Sequence, residues 1–468
     1  MSKQSLIKYF NTEASQRDKW IRKNRYYHNE IMNLCRFVIP EASSVLEVGS
    51  GTGELLKKLK PKYGMGVDIS AVMIATAKLK YPDLKWRVGD VEDLSLSESF
   101  DYVLMSDVIG FLGDIEKSFF SLRAISHSGT RLVITYYNCL WGPLLKLAEF
   151  LNFKARQPIQ NWLSEQDVEN MLYLAGFEMI KRGRKILIPV YIPMVSVFFN
   201  KIICNLPLFS KLGLVQYLIA RPRPDPVKNY SVSVIIPARN EKGNIKNAIQ
   251  RLPEFGASQE IIFIEGHSQD GTLEEIKTVV EKYKGKKNIR YAVQKGKGKG
   301  DAVRLGFSMA TGDILMILDA DLTVSPEDLP KFYRAVALGK GEFVNGSRLV
   351  YPLEKESMRF FNILGNKFFS LMFSWILGQR IKDTLCGTKV LFKKDYEKIA
   401  SGRKYFGDFD PFGDFDLLFG AAKLNLKIIE MPVHYQARTY GSTNIQRWKH
   451  GWLLLKMTFF AMRKIKFN

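Results

Sequence analysis

The sequence predicts an α/β protein of two domains. Three observations carry that prediction. The chain has 468 residues, two to three times the length of an ordinary domain. Short β-branched apolar runs alternate with helix-like stretches along both halves. Between them, Arg221-Pro-Arg-Pro-Asp-Pro226 sets three prolines among charges, a composition foreign to helix interiors and central strands. The prediction is a first domain over 1–222, a linker over 223–229, a second domain over 230–445 and a basic amphipathic helix over 446–468.

Composition narrows the classes. A hydrophobic fraction of 46% with 25% charged residues excludes a disordered chain. The formal net charge is +22, and both halves are basic, so an anionic partner is expected: nucleotide, acidic lipid or nucleic acid. Cys35, Cys139, Cys204 and Cys386 lie far apart, which excludes a zinc-type spacing or a disulfide scaffold. The opening residues lack the apolar core of a signal peptide. No uncharged apolar run reaches the ~18 residues of a membrane span. The longest candidate, Ile186 to Asn200, contains Pro189 and Pro193. It can touch a membrane but is a poor spanning helix.

In the first half, strands are expected at Ser44–Val48, Tyr63–Val67, Leu84–Val88, Tyr102–Met105 and Arg131–Thr135. The first runs into Gly49-Ser-Gly51-Thr-Gly53, and a helix begins at Glu54. Glycines there permit a tight turn and a close approach of ligand to backbone. Asp68 ends the next strand, where a carboxylate can take ribose hydroxyls. Asp90 ends the third, within reach of an adenine amine. A dinucleotide-binding unit uses the same geometry, but the pattern here is ExGxGxG, with Glu47 inside the strand.

These pieces, Val45 to Gly53, Gly66-Val-Asp-Ile-Ser70, Gly89-Asp-Val91 and Phe100-Asp-Tyr-Val-Leu104, resemble class I methyltransferases that use S-adenosylmethionine. The resemblance covers residues 44–137. It implies a Rossmann-like sheet of seven strands, methyl transfer governed by positioning, and a cofactor held by Glu47, Gly49, Gly51, Gly53, Asp68, Asp90 and Val91. The acceptor is not legible. The histidine that small-molecule members often carry is absent from Ser106 to Asp114. Asp107 is a base or a loop carboxylate, and His127 reads as a surface turn residue. Leu140–Ala220, rich in Leu, Ile, Phe and Pro, reads as a lid or membrane-facing cap, or as core.

In the second half, strands are expected at Ser231–Pro237, Glu260–Glu265, Ile289–Val293, Ile314–Leu318 and Lys427–Pro432. Asp319-Ala-Asp321 follows an apolar strand. Paired carboxylates at a strand end suit one hard divalent cation, Mg²⁺ or Mn²⁺, bridging to phosphates. Such an ion stabilises a departing diphosphate. Glu241 and Glu265 sit where strand ends converge, suited to a base and ribose. Lys299 suits a phosphate.

The ordered set resembles family 2 glycosyltransferases of the GT-A fold, nearest the dolichyl- or polyprenyl-phosphate sugar synthases, over about 231–450. The resemblance implies a nucleotide-sugar pocket of Pro237, Ala238, Arg239, Glu241, Glu265 and Asp270, with Asp319 and Asp321 on the metal. It also implies that Arg348 faces an acceptor phosphate, with Lys389 and Arg438 at further matching positions. Glu265 stands where aspartate is usual, and Asn444 where a lysine recurs. Asn444-Ile-Gln-Arg447-Trp448 departs from the QxxRW of processive synthases, so long-polymer synthesis is not expected.

Two acceptors remain open. A sugar hydroxyl needs a general base, and Asp414 is the candidate. A lipid phosphate needs only cations, and Arg348, Lys389 and Arg438 supply three. Lipid phosphate is the favoured reading. Trp448–Asn468 has no acid and interleaves lysines with aromatics, which suits an anionic membrane surface or packing on the sheet. The expectation is a bifunctional enzyme, peripheral to the cytoplasmic face of a membrane, serving one glycoconjugate pathway. Its partners would be a UDP- or GDP-linked sugar, polyprenyl phosphate or a lipid-linked glycan, and no nucleic acid. The alternative keeps the glycosyltransferase and makes the first half a cofactor-binding regulatory module. A nucleotidyltransferase is disfavoured because Pro237-Ala-Arg-Asn-Glu241 is not its GxGxR loop.

Overall fold

The structure, a computed structural model, describes residues 3–224, 229–348, 360–405, 414–436, 438, 440 and 447–467. The chain divides into two compact units, 1–224 and 225–466.

The first unit is built on seven strands: β1 (Ser44–Val48), β2 (Tyr63–Asp68), β3 (Lys85–Val88), β4 (Tyr102–Ser106), β5 (Arg131–Tyr137), β6 (Phe177–Lys185) and β7 (Val215–Pro222). Their order is β3-β2-β1-β4-β5-β7-β6. The first five run parallel, and β7 lies antiparallel to both neighbours. Both faces are covered. Leu46 and Val48 pack with Phe100 and Phe119 on one side, while Val45 packs with Leu56 and Trp86 on the other. That is why these strands read as continuous apolar runs.

Five strands stand where the sequence puts them, and β6 and β7 complete the seven that the resemblance implies, at positions the sequence left unassigned. β7, which lies between β5 and β6, corrects the reading of the proline seam as foreign to a central strand. The strand continues through Arg221 and stops at Pro222, opposite Phe177 at the start of β6. Proline is tolerated there because it is the terminal residue. Arg221 is buried and donates to Glu178 at 2.7 Å. Leu140–Ala220 therefore contributes sheet and core, together with helices Gly142–Phe150, Glu165–Leu174 and Val195–Lys201. Two helices that the sequence reading left unassigned, Lys3–Lys23 and Arg25–Val38, precede β1.

The second unit also has seven strands: β8 (Val232–Ala238), β9 (Gln259–Glu265), β10 (Asn288–Val293), β11 (Ile314–Ile317), β12 (Phe343–Ser347), β13 (Lys389–Phe392) and β14 (Ile428–Pro432). The order is β10-β9-β8-β11-β13-β12-β14, with β13 antiparallel to β11 and β12. β12 and β13 were not foreseen; at five and four residues they carry little periodicity. In both units the strand order reverses beside the first strand, at β1/β4 and β8/β11. That reversal opens a crevice at the C-terminal strand ends.

The opposite ends of those two strand pairs are clasped alike. Ser44 N and Oγ donate to Asp101 Oδ2 at 2.9 Å each, and Asp101 N returns a bond to Ser44 Oγ. Ser231 and Asp313 repeat the arrangement.

Helix Arg447–Ala461 has a buried and an exposed side. It buries Leu454, Met457 and Ala461 and exposes Trp452 and Phe459. Among the described residues, no helix is long and apolar enough to cross a membrane.

Candidate functional sites

In the first unit, β1 ends in a turn of three left-handed glycines, Gly49, Gly51 and Gly53, with φ of 70°, 52° and 84°. Packing demands two of them. A Cβ on Gly49 would lie 2.2 Å from Val108 Cγ2, and one on Gly53 would lie 2.3 Å from Trp86 Cη2. Gly51 is different, since the nearest atom, Arg17 Nε, would stand 3.8 Å away. Gly51 thus leaves open the space a ligand backbone contact requires.

Asp68, at the end of β2, accepts from Gly51 N and Ser70 N, each at 2.9 Å. Burial raises its carboxyl, opposed by those two bonds. Glu47 faces the following helix rather than the turn. It accepts from Leu56 N at 3.1 Å, and burial pushes it up to about 8. Asp90 is paired with Lys3, and Val91 is buried behind it.

Helix Lys3–Lys23 closes over this end of the sheet. Lys3 also reaches Glu92 at 2.9 Å, Ser70 Oγ donates to Asn11 at 2.6 Å, Thr52 Oγ1 donates to Asp18 at 3.2 Å, and Phe10 meets Phe111 edge-on at 5.4 Å. A depression of about 390 Å³ lies against this helix at Gln4, Ile7, Lys8, Asn11 and Thr12. This roof is not legible in the sequence. Its only signal there is apolar spacing, which does not say what the helix covers.

Asp107 follows β4 in a left-handed conformation (φ 56°). Its carboxylate accepts from Tyr27 Oη at 2.7 Å, and Tyr27 lies 6.1 Å from the Tyr137 ring. Burial raises the Asp107 carboxyl. His28, beside Tyr27, is pushed down to about 3 by burial and then by the charges of Arg17 and Lys58, which keeps its imidazole neutral. Tyr27 and His28 come from helix Arg25–Val38, outside every motif. His127 lies before β5, at the opposite end of the strands, with Nε2 3.9 Å from Asp101.

In the second unit, three strand ends converge. After β8, Glu241 is buried, with its N donating to Thr272 Oγ1 at 2.9 Å and its carboxylate taking Asn244 at 2.7 Å. Burial pushes Glu241 up to about 7 against the pull of Arg438. Pro237 and Ala238 close β8, and Arg239 is exposed just beyond. After β9, Glu265 accepts from His267 N and Ser268 N at 3.1 and 2.6 Å. Asp270 accepts from Thr272 N at 3.0 Å and Tyr440 Oη at 3.2 Å.

Asp319 and Asp321 follow β11. Lys299 pairs with Asp319 at 2.6 Å. Asp321 takes Thr323 N and Oγ1 at 3.1 and 2.8 Å on one oxygen, and Arg438 at 2.6 Å on the other. Arg438 also reaches Glu241 at 3.1 Å. Asn240, His267 and Leu322 adopt left-handed conformations after β8, β9 and β11, local strain of the kind that gathers at functional sites. Among the described residues no group of three or more His, Cys, Asp or Glu could hold a metal. Two carboxylates fit a Mg²⁺- or Mn²⁺-type ion that shares its shell with phosphate oxygens, not a closed protein cage.

The three cations assigned to an acceptor phosphate do not cluster. Arg438 is in the crevice as described. Arg348 is committed to buried Asp383, with Nε and Nη2 at 2.7 and 2.8 Å. Burial lifts Asp383, but Arg348 outweighs it and holds the carboxyl well below the usual range. Lys389 is 0% exposed, and its ammonium donates to Cys386 O at 2.6 Å. Asp414 opens helix Asp414–Lys423, with its side chain outside the described residues. Asp416 accepts from Arg403 at 2.7 Å. Asp408, Asp410 and Asn444 lie outside the described residues.

Comparison with known proteins matches a family model within each unit. Residues 20–182 match a methyltransferase domain model, and residues 233–399 match glycosyl transferase family 2. A dolichol-phosphate mannosyltransferase of Pyrococcus furiosus is 29% identical over 249 residues, which is 51% of this chain and 67% of that protein. The Saccharomyces cerevisiae protein of the same name is 39% identical over 110 residues, 22% of this chain and 40% of that one. Among solved structures, a SAM-dependent methyltransferase of Thermotoga maritima has 20% identity and a TM-score of 0.37. The match covers 45% of this chain and 97% of that one.

Proposed function

We propose, for a chain that carries a methyltransferase domain followed by a family 2 glycosyltransferase domain, that the second domain moves a sugar from a nucleoside-diphosphate sugar to a polyprenyl phosphate. The observation that carries this reading is the crevice cluster of Glu241, Asp319, Asp321, Lys299 and Arg438 at the strand-order reversal. Asp319 and Asp321 would hold the divalent cation. That ion, when bound, draws off charge from the departing diphosphate. Glu241, Glu265 and Asp270 orient the base and ribose, and Lys299 steadies a phosphate oxygen once it releases Asp319. An acceptor phosphate is already an anion and needs no base. Of the three cations considered for an acceptor phosphate, Arg438, anchored between Glu241 and Asp321, is the one that stands in the crevice. The names of the two relatives, both dolichol-phosphate mannosyltransferases, support that acceptor class.

The first domain transfers the sulfonium-activated methyl of S-adenosylmethionine to an acceptor of the same glycoconjugate pathway. Gly51 and Asp68 hold the nucleoside end, and Asp107 with Tyr27 stands where an acceptor proton would be taken. The protein works at a membrane surface, with Trp452 and Phe459 of the C-terminal helix turned outward. The test is a panel of labelled UDP- and GDP-sugars with Mn²⁺, with and without polyprenyl phosphate, beside Asp321→Asn. Label entering the lipid phase in the parent and not in the variant is the expected result. Donor hydrolysis without lipid labelling refutes the phosphate acceptor and turns attention to Asp414. Labelled S-adenosylmethionine run in parallel separates an active first domain from a regulatory one.

A further inference from the structure

Residues 187–212 of the first unit are folded inside out. From Val190 to Phe199 only Ser196 is buried, and Asn200 follows it into the interior. These two polar side chains hold the segment from within. Asn200 Oδ1 accepts from Leu187 N and Ile188 N at 2.8 and 2.9 Å, and its Nδ2 donates to Ile188 O at 2.8 Å. Ser196 Oγ accepts from Ile192 N at 2.8 Å and donates to Val190 O at 2.7 Å. The apolar side chains are left outside: Tyr191 is 62% exposed, Met194 85% and Leu208 83%. Ile186 and Met194 both hold φ above 60° or at it, at 65° and 60°, a conformation that costs energy in a non-glycine residue and persists only where its surroundings enforce it. The exposure is therefore built into the loop and is not a frayed end.

The patch continues. Trp141 Nε1 donates to Leu212 O at 2.8 Å, which sets the helix Gly142–Phe150 beside it with Leu144, Leu147 and Phe150 exposed. Exposed apolar side chains gathered in one part of a fold mark an interaction site.

Charge identifies what it meets. Between Glu178 and Asp225 there is no acidic residue, against eight lysines and arginines. Lys146, Lys201 and Lys211 are exposed among the apolar groups. Apolar side chains rimmed by lysines match the boundary between acyl chains and anionic headgroups. Aromatic rings such as that of Tyr191 settle at that depth.

We infer that the segment 187–212, extended by helix Gly142–Phe150, is a membrane-docking surface of the methyltransferase unit that inserts its apolar side chains among anionic lipids. The inference rests on neither transfer reaction and is separate from the C-terminal helix. The test uses the full chain in flotation with vesicles of phosphatidylcholine alone and of phosphatidylcholine with phosphatidylglycerol. Four proteins are compared: the parent, Ile192→Asp/Met194→Asp, Trp452→Asp on the C-terminal helix, and Leu79→Asp, an exposed leucine on another helix.

The expected result is preferential binding of the parent to the phosphatidylglycerol vesicles. The double variant should bind at least tenfold less, with its thermal midpoint and S-adenosylhomocysteine binding unchanged, and Leu79→Asp should bind like the parent. Parent-like binding by the double variant overturns the inference. If Trp452→Asp abolishes binding while the double variant retains it, docking belongs to the C-terminal helix alone. A parent that ignores vesicles and sediments as a dimer, split by the double variant, assigns the surface to a second copy instead.

Discussion

Replacing Gly387 by alanine tests the metal-site assignment with the smallest possible change. A methyl carbon there would lie 2.0 Å from Asp319 Oδ2 and 2.1 Å from Lys299 Nζ. Ordinary contact begins at 3.4 Å, so the carboxylate must retreat by about 1.4 Å. Gly387 is not among the left-handed glycines, so alanine is allowed by the backbone, and the groups it displaces are side-chain ends. A misplacement of about 1 Å in a catalytic group costs roughly 100-fold in rate, equivalent to about 2.7 kcal/mol of activation free energy. The expected outcome for Gly387→Ala is therefore a fall of about two orders of magnitude in Mn²⁺-dependent sugar transfer, with a higher metal requirement and a thermal midpoint close to the parent's. The assay is initial rate against Mn²⁺ concentration at saturating donor, read beside a melting curve. Parent-like transfer at the parent's Mn²⁺ requirement refutes the role given to Asp319.

Three other predictions follow from side-chain environments. Glu47, raised to about 8 from an unfolded value near 4.3, favours the folded state most when protonated. The contribution of this group should be greatest below about pH 4 and fall by a few kcal/mol as pH rises to about 8; urea unfolding of Glu47→Gln should show that part of the slope removed, and a slope identical to the parent's would contradict it. Asp383→Asn strands Arg348 in the interior and should cost about 3–5 kcal/mol. In the parent the Asp383 contribution is present above about pH 4 and lost on acidification, because its folded value is depressed; chemical denaturation of both proteins across that range checks it. Gly49→Ala should lower the thermal midpoint sharply through its clash with Val108. Gly51→Ala, which meets nothing closer than 3.8 Å, should lower the midpoint by only about 2–4 °C yet weaken S-adenosylhomocysteine binding about tenfold by calorimetry. Equal loss of stability in the two variants would remove the distinction drawn between them.

What the sequence discloses is local. The glycine turn after β1 and the carboxylates after β2, β9 and β11 are legible because each motif and the strand before it are contiguous. β12 and β13 are too short to show an alternation. β7 is hidden because Pro222 reads as a breaker, and only its pairing partners reveal that the strand is already complete there. The roof over the first site depends on contacts such as Lys3 with Glu92, 89 residues apart, which no spacing rule anticipates. Charge alone is similarly blind to partners. Arg348, Lys389 and Arg438 look equivalent as cations, yet one is bound to Asp383, one to a backbone carbonyl, and only Arg438 stands in the crevice.

The serine–aspartate clasps bear on how the two sheets assemble. Each joins strands that are distant in the chain, by 57 residues for Ser44 and Asp101 and by 82 for Ser231 and Asp313. Parallel strands so far apart meet late and at a high entropic cost, and a shift of one residue would turn every core side chain to the wrong face. The three hydrogen bonds of a clasp form together only in the native alignment, so each clasp works as a key for register at the moment of closure. Loss of Ser44 or Ser231 would accordingly be felt first in the yield of correctly paired sheet during refolding, at the end of each sheet opposite its candidate site.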